Sequence, residues 1–342
     1  MKKLIFISTL IGVATVLSSC GKENAEKLYI YNWGDYIEES LIDDFENETG
    51  IDVIYETYAS NEAMYQKIKS GGSNYDILIP SDYMIEKLVN EDMLQPLDYS
   101  LIPNYDYVLE DLKGMSFDPE NQYTVPYMWG TVGIAYNKSL VDKPTSWSVL
   151  FDKSNSGEIF MYDSSRDLLM VGLKYLGYSM NTTNEAEIQD ARDLLIAQKP
   201  LVQAYLDDSV KDKMIGEEGT YAVVYSGDAV YMSQENENIG YSVPDEGSNV
   251  WVDSLVIPKD AKNVLNAHTF INFIMEKENA KINSEYIGYT TTNSETLEII
   301  DEALLNAEGY SVEVDMSKME IYSDLGKAVS LYDRAFTEIL AN

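Results

Sequence analysis

The chain has 342 residues, with 24 lysines and arginines against 58 aspartates and glutamates, and its formal net charge is −34. Such an acidic surface argues against nucleic acid and anionic lipid as partners, and it raises the local concentration of cations. One cysteine and one histidine exclude an intrachain disulfide and any site built from several histidines.

The first twenty residues are typical of a bacterial secretion signal. Lys2 and Lys3 precede an apolar run over 4–16 and the sequence LSSC at 17–20. The run is too short for a permanent membrane span. The segment resembles a lipoprotein signal, so we predict a signal peptide at 1–19, lipidation of Cys20 and a tether over 20–26. An ordinary secretory signal with a chance cysteine is the alternative.

Strands and helices alternate from residue 27 onward, which is the pattern of an α/β fold. Strands are predicted at 28–31, 51–56 and 76–79, and helices at 38–49 and 61–69. Strand-helix-strand repetition predicts a parallel sheet with its ligand site at the carboxyl ends of the strands. The polar and aromatic residues at 32–36 and 80–83 should therefore meet at one edge.

A second α/β series follows in the middle of the chain. Strands are predicted at 132–137, 158–161, 201–205 and 220–225, and helices at 166–176, 185–198 and 264–275. Extended segments at 123–137 and 250–257 are long enough to cross between two lobes. After removal of 1–19, about 320 residues remain, which favours two domains. We assign 27–131 and 255–305 to lobe 1, and 132–254 and 306–342 to lobe 2.

Several functions remain open on composition and motifs. His268 lies within a predicted helix, where a lone histidine is ordinarily structural. The sequence has no phosphate-binding loop of the P-loop or dinucleotide type. The 58 acids leave a secreted carboxylate-pair hydrolase open, and the 27 tyrosines leave a receptor for ferric iron or another cation open. A surface antigen or adhesin with a degenerate cleft is a third class.

Eight segments, spread in order over nearly all of the predicted mature chain, resemble polyamine-binding receptors of bacterial ABC importers. They are YNWGDY (31–36), ETYASNE (56–62), YDILIPS (75–81), VPYMWG (125–130), LGY (176–178), WVDSL (251–255), IP (257–258) and IGYT (287–290). The resemblance implies a two-lobed periplasmic-binding-protein fold of type II, with hinge strands and an interlobe ligand cleft. It also implies a monomeric, non-enzymatic protein without cofactor or metal. Such a protein would bind spermidine or putrescine by hinge closure, deliver it to a membrane permease and stay anchored outside the cytoplasm, periplasmic or at the cell surface.

The resemblance also implies the site residues, position by position. In the family, carboxylates hold the ammonium ends of the amine and aromatic rings cover its methylenes. The corresponding residues here are Trp33, Asp35, Tyr36, Ser81, Tyr83, Asp167, Tyr225, Asp228, Trp251, Asp253 and Tyr289.

Three positions depart from the family pattern and leave the choice of amine open. Gly34 replaces a hydroxyl residue, Tyr225 replaces a tryptophan, and Ser164 stands where spermidine-preferring members carry aspartate. Asp228 stands where putrescine-selective members place an acid, which favours the shorter diamine.

Physical chemistry supports this kind of site. A buried ammonium loses several kcal/mol of hydration unless a carboxylate and other acceptors replace the water. Aromatic rings cover methylenes at about 0.8 kcal/mol each and add cation–π contacts of roughly 0.5 to 2 kcal/mol. The same residues also have structural interpretations. Trp33 and Trp251 could be core aromatics, Asp35 a helix N-cap, Asp253 a hinge acceptor, and Asp167 an acid favoured near a helix start.

Overall fold

The computed structural model of the protein describes residues 26–71, 74–312 and 314–342. The predicted signal segment 1–19, the predicted lipidation site Cys20 and most of the predicted tether lie outside the described residues. Within the described ranges, no helix combines the length and the apolar character that a membrane span requires.

The described chain alternates strands and helices, as the sequence predicts. The strands are β1 (Lys27–Trp33), β2 (Asp52–Tyr58), β3 (Ile77–Leu78), β4 (Val125–Asn137), β5 (Ile159–Tyr162), β6 (Val202–Leu206), β7 (Tyr221–Tyr225), β8 (Ile239–Ser242), β9 (Val250–Leu255) and β10 (Thr290–Thr291). The helices are α1 (Ser40–Thr49), α2 (Asn61–Lys69), α3 (Asp82–Asn90), α4 (Ser165–Tyr175), α5 (Glu185–Gln198), α6 (Val210–Ile215), α7 (Ser226–Glu235), α8 (Val264–Ile274), α9 (Lys277–Ile287), α10 (Ser294–Leu297), α11 (Glu302–Leu305) and α12 (Val329–Ala341).

The first lobe is built on a three-stranded parallel sheet in the order β2-β1-β3. Local signals set its helices. The Ser60 hydroxyl accepts a hydrogen bond from the Ala63 amide at 3.1 Å at the start of α2, and Gly50 ends α1 in the left-handed region with φ of 74°. Phe45 of α1 and Phe270 of α8 are buried edge to face, with ring centroids 5.1 Å apart. Helices α1 and α8 therefore pack together in the hydrophobic core of this lobe.

The second lobe is built on a mixed sheet. β5 runs parallel to both β6 and β7, whereas β4 is antiparallel to β7, β8, β9 and β10. Its core contains fully buried Trp147 and Tyr332, the latter from α12, which packs on α4 and α5. The carboxyl ends of β5, β6 and β7 lie at one edge of this sheet, as those of β1, β2 and β3 do in the first lobe.

Two long strands connect the lobes. Tyr127 and Met128 of β4 belong to the first hydrophobic core, and Val132 and Ile134 of the same strand belong to the second. β9 pairs antiparallel with β4, and Asp253 of β9 also bridges to the first lobe. The predicted two-lobed α/β fold with hinge strands is confirmed.

The exact lobe boundaries stay a prediction. Ile300 and Leu304, which the sequence assigns to lobe 1, form a small cluster with Val230 of α7 and Tyr310. This segment therefore lies at the junction of the lobes.

His268 has a structural role in the first lobe. Its Nδ1 donates to the Val264 carbonyl at 2.7 Å, and its Nε2 accepts from the Asp98 amide at 2.9 Å. Both ring nitrogens of this buried residue are therefore used within the fold.

Candidate functional site

Parallel strands of both lobes end at one cavity of about 590 Å³. In the first lobe, β1 ends at Trp33 and β3 leads into Ser81. In the second lobe, β5 ends at Tyr162, β6 leads into Asp208, and β7 ends at Tyr225. The volume suits a small organic molecule, and the position is the one expected for ligands of open α/β sheets. We call this space the central cavity.

Nine of the eleven residues predicted for the site line the central cavity. They are Trp33, Tyr36, Ser81, Tyr83, Tyr225, Asp228, Trp251, Asp253 and Tyr289. The lining also includes Gly34, Ala59, Asp82, Tyr162, Asp208, Lys211, Asn249 and Tyr322. Side chains from both lobes and from the crossing strand β9 therefore face the same space.

Asp253 provides a buried carboxylate on the hinge side of the cavity. Its Oδ2 accepts a hydrogen bond from the Tyr36 hydroxyl at 2.8 Å. Burial raises the pKa of Asp253 to about 6, although hydrogen bonds from Ser81 and Tyr36 oppose the shift. The carboxyl is thus mostly ionised at neutral pH, and a cationic partner beside it would stabilise its charged form.

Aromatic rings form much of the cavity wall. The ring centroids of Trp251 and Tyr289 are 4.7 Å apart at 79°, and Tyr225 meets Trp251 edge to face at 6.4 Å. Trp33 is fixed by its Nε1, which donates to the Ile79 carbonyl at 2.9 Å. Rings held in this way offer flat apolar faces and cation–π contact to a bound molecule.

The second lobe contributes a charged cluster at the start of two helices. The Lys211 ammonium, in the first turn of α6, lies 3.2 Å from Oδ1 of Asp228 in α7 and 3.9 Å from Oδ2 of Asp208. The Tyr162 hydroxyl donates to Asp208 at 3.1 Å. Burial raises the pKa of Asp228, and the nearby Lys211 ammonium opposes this effect. The predicted acid Asp228 therefore already has a cation beside it.

Asp167 lies outside the central cavity, contrary to the expectation that it would join the other acids there. It is buried in the first turn of α4, where its two carboxylate oxygens accept hydrogen bonds from the hydroxyls of Tyr225 at 3.0 Å and Tyr322 at 2.9 Å. These rings and Tyr83 line both the central cavity and a neighbouring side cavity of about 740 Å³, which Asp167 and Ser164 also line. The Ser164 hydroxyl caps α4 by accepting from the Asp167 amide.

Asp35 does not join the other acids either. Tyr36 is held in place because its carbonyl accepts hydrogen bonds from the Asn32 side chain at 3.2 Å and the Tyr127 hydroxyl at 2.7 Å. Asp35 precedes it in the left-handed region, with φ of 50°, and its side chain is exposed to solvent. The tight turn that buries Tyr36 therefore leaves Asp35 outside the cavity. Asp35 is not the N-cap of α1, which is Glu39.

Comparison with known proteins identifies the family. The profile described as "Bacterial extracellular solute-binding protein" matches residues 40–306. The chain belongs to this family. The spermidine/putrescine-binding periplasmic protein of Escherichia coli (strain K12) is 34% identical over 333 residues, which cover 96% of this chain and 96% of that protein. A putrescine/cadaverine-binding protein of Pseudomonas aeruginosa is 33% identical over 315 residues, covering 88% of this chain and 87% of that protein.

Solved structures of related proteins share the fold. The spermidine/putrescine ABC transporter substrate-binding protein of Streptococcus pneumoniae is 42% identical, with a TM-score of 0.85, and the match covers 92% of this chain and 99% of that chain. A Treponema pallidum lipoprotein is 30% identical, with a TM-score of 0.82 and the same coverage. The type II periplasmic-binding-protein fold predicted for this solute-binding protein is confirmed.

Sequence reasoning missed four conspicuous cavity residues of this solute-binding protein. Tyr162 and Asp208 follow the predicted strands at 158–161 and 201–205, so the rule applied to strand ends in the first lobe could have found both. Lys211, near the start of a short helix, and Tyr322, which comes from the C-terminal region, carry no comparable signal.

Proposed function

We propose that this chain is the extracytoplasmic substrate-binding component of a polyamine ABC importer, taking up putrescine, spermidine or both. The observation that carries the proposal is the buried Asp253 carboxylate in a cavity walled by aromatic rings from both lobes. The names of its relatives in Escherichia coli and Pseudomonas aeruginosa support the same class of ligand. In this proposal Cys20 carries the lipid anchor, and the protein works as a monomer.

One ammonium of the amine pairs with Asp253, which is the carboxylate that balances its charge on the hinge side. Ser81 and Tyr36 hold this carboxylate, and Trp251 and Tyr289 cover the adjoining methylenes. Each methylene removed from water contributes about 0.8 kcal/mol, and cation–π contact adds roughly 0.5 to 2 kcal/mol. The second ammonium points toward the carboxylates of the second lobe.

Uptake requires a conformational signal rather than covalent chemistry. A ligand shifts a protein toward a closed form only if it contacts that form better than the open one. Asp253 on the crossing strand, Trp33 from the first lobe and Tyr225 from the second all line the one cavity, so a bound amine would bridge the lobes across the hinge strands. The closed lobes are then the form that the membrane permease recognises.

The tyrosines of the cavity favour an organic cation over ferric iron. Burial, together with the neighbouring carboxylates, raises the pKa of Tyr36 and Tyr225 well above the usual value. Their hydroxyls donate to Asp253 and Asp167, respectively. Ferric coordination by tyrosine needs phenolate oxygens, so iron would have to remove both protons and break both hydrogen bonds. The family match likewise favours a binding protein over the carboxylate-pair hydrolase.

Isothermal titration calorimetry of the full chain, purified in a nonionic detergent, tests the proposal. Putrescine and spermidine are titrated side by side, with ferric citrate as the competing candidate. We expect a Kd of about 1 μM or tighter for at least one amine. If neither amine produces heat and ferric ion generates a tyrosinate absorbance band, the protein is a metal receptor instead.

A further inference from the structure

A lysine of the chain lies inside the proposed amine site. Lys211 lines the central cavity from the first turn of α6, directly after the loop that follows β6. Its ammonium is paired with Asp228, whose side chain is only 10% exposed, and lies near Asp208, whose side chain is 75% exposed. A bound amine would meet this ammonium on the second-lobe side of the cavity, whereas Asp253 lies on the crossing strand β9.

The Lys211 ammonium already balances part of the negative charge of the two carboxylates beside it, Asp208 and Asp228. Asp208 and Asp228 contribute two negative charges and Lys211 one positive charge, which leaves one net negative charge. Asp253 contributes one negative charge at the hinge side. Asp82 also lines the cavity, but its two carboxylate oxygens already accept hydrogen bonds from the Tyr83 and Val252 amides, so we leave it out of the charge available to a ligand. Two net negative charges therefore remain for a ligand.

The surroundings of Lys211 argue against a role in holding an anion. Two carboxylates lie within 4 Å of its ammonium, so an anionic group placed there would face their combined repulsion. The interactions with Asp228 and Asp208 raise the pKa of Lys211 although burial acts in the opposite direction. The lysine thus stays charged and occupies the place that a further ligand ammonium would need.

We propose that Lys211 is a resident ammonium that neutralises one carboxylate of the second lobe and thereby matches the central cavity to a diamine rather than a triamine. The inference rests on the proposed polyamine function and adds a specificity determinant to it. A diamine balances the two remaining charges. A triamine would bring its extra ammonium against Lys211, or would have to displace Lys211 from Asp228, and both outcomes weaken binding.

Charge-altering variants of Lys211 test this assignment. Putrescine and spermidine are titrated calorimetrically into the full chain and into Lys211→Gln, Lys211→Arg and the double variant Lys211→Gln/Asp228→Asn. Lys213→Gln is the matched control, because Lys213 lies in the same helix but pairs with Glu218 at 2.7 Å outside the cavity. Thermal melting checks that each variant is folded.

We expect Lys211→Gln to raise the affinity for spermidine relative to putrescine by roughly tenfold or more, since a like-charge contact at about 4 Å corresponds to roughly fivefold in water and roughly a thousandfold at an effective dielectric of about 20. Lys211→Arg should keep the wild-type ratio because it keeps the charge. Removing Asp228 as well should reverse the gain. An unchanged ratio in Lys211→Gln, or the loss of both amines in that variant, overturns the role of Lys211 while leaving the polyamine function standing. Failure of the wild-type chain to bind either amine rejects the function itself.

Discussion

Replacing Asp253 with asparagine is expected to weaken polyamine binding and, at neutral pH, to stabilise the unliganded protein. An aspartate in an unfolded chain titrates near 3.9, whereas burial raises the pKa of Asp253 to about 6. Between about pH 4 and pH 6 the folded protein keeps a proton that the unfolded chain has released, so stability falls as the pH rises through this window. Two pH units at about 1.4 kcal/mol each give a cost of about 3 kcal/mol at pH 7.

Asparagine removes this cost and can still accept the hydrogen bond from Tyr36. The free energy of unfolding of Asp253→Asn without ligand should therefore rise by up to about 3 kcal/mol at pH 7, and the gain should be absent near pH 4. The bound ammonium loses its carboxylate, which costs about 3 to 5 kcal/mol, or a roughly 150- to 5,000-fold weaker Kd.

Urea unfolding of the unliganded protein and calorimetric titration with putrescine measure the two effects separately. Asp44→Asn is the control, because Asp44 is an exposed acid of α1 and does not line the cavity. It should leave both quantities unchanged. Wild-type affinity in Asp253→Asn would refute the assignment of this carboxylate to the ligand. If the wild-type protein binds no amine and Asp253→Asn leaves every measured activity intact, the adhesin with a degenerate cleft is favoured.

Three further results are expected. Amine affinity should be constant above about pH 6 and fall by up to tenfold per pH unit below it, because protonated Asp253 carries no charge. A calorimetric Kd that does not change between about pH 5 and pH 8 would contradict this. Gly227→Ala should weaken binding at least tenfold, because the added Cβ overlaps the Tyr289 ring, whereas Ser233→Ala in the same helix should bind like wild type in parallel titrations. Ser164→Asp should leave the affinities for spermidine and putrescine unchanged, because Ser164 lines the side cavity; a gain for spermidine alone would place the third ammonium there rather than against Lys211.

Local sequence signals determined most of the secondary structure. α2 and α5 have the bounds that the sequence predicts, and their starts are set by Ser60 and Asn184, which cap the first turns by accepting backbone hydrogen bonds. The parallel order of β1 and β3 followed from strand-helix-strand repetition, and it brought Trp33 and Ser81 to one edge as expected.

The charge of the site, in contrast, was decided by the tertiary structure. Asp35 looked like a ligand acid within YNWGDY, but the turn that buries Tyr36 exposes it. Asp228 looked free until the packing of α6 beside α7 placed Lys211 next to it.

Tyr322 reaches Asp167 from a position 155 residues away in the chain. Propensity and periodicity act over a few residues, whereas the pairing of buried charges depends on which distant segments fold together. The sequence therefore determined the fold and the edge at which its strands end, and only the folded chain decided which charges meet there.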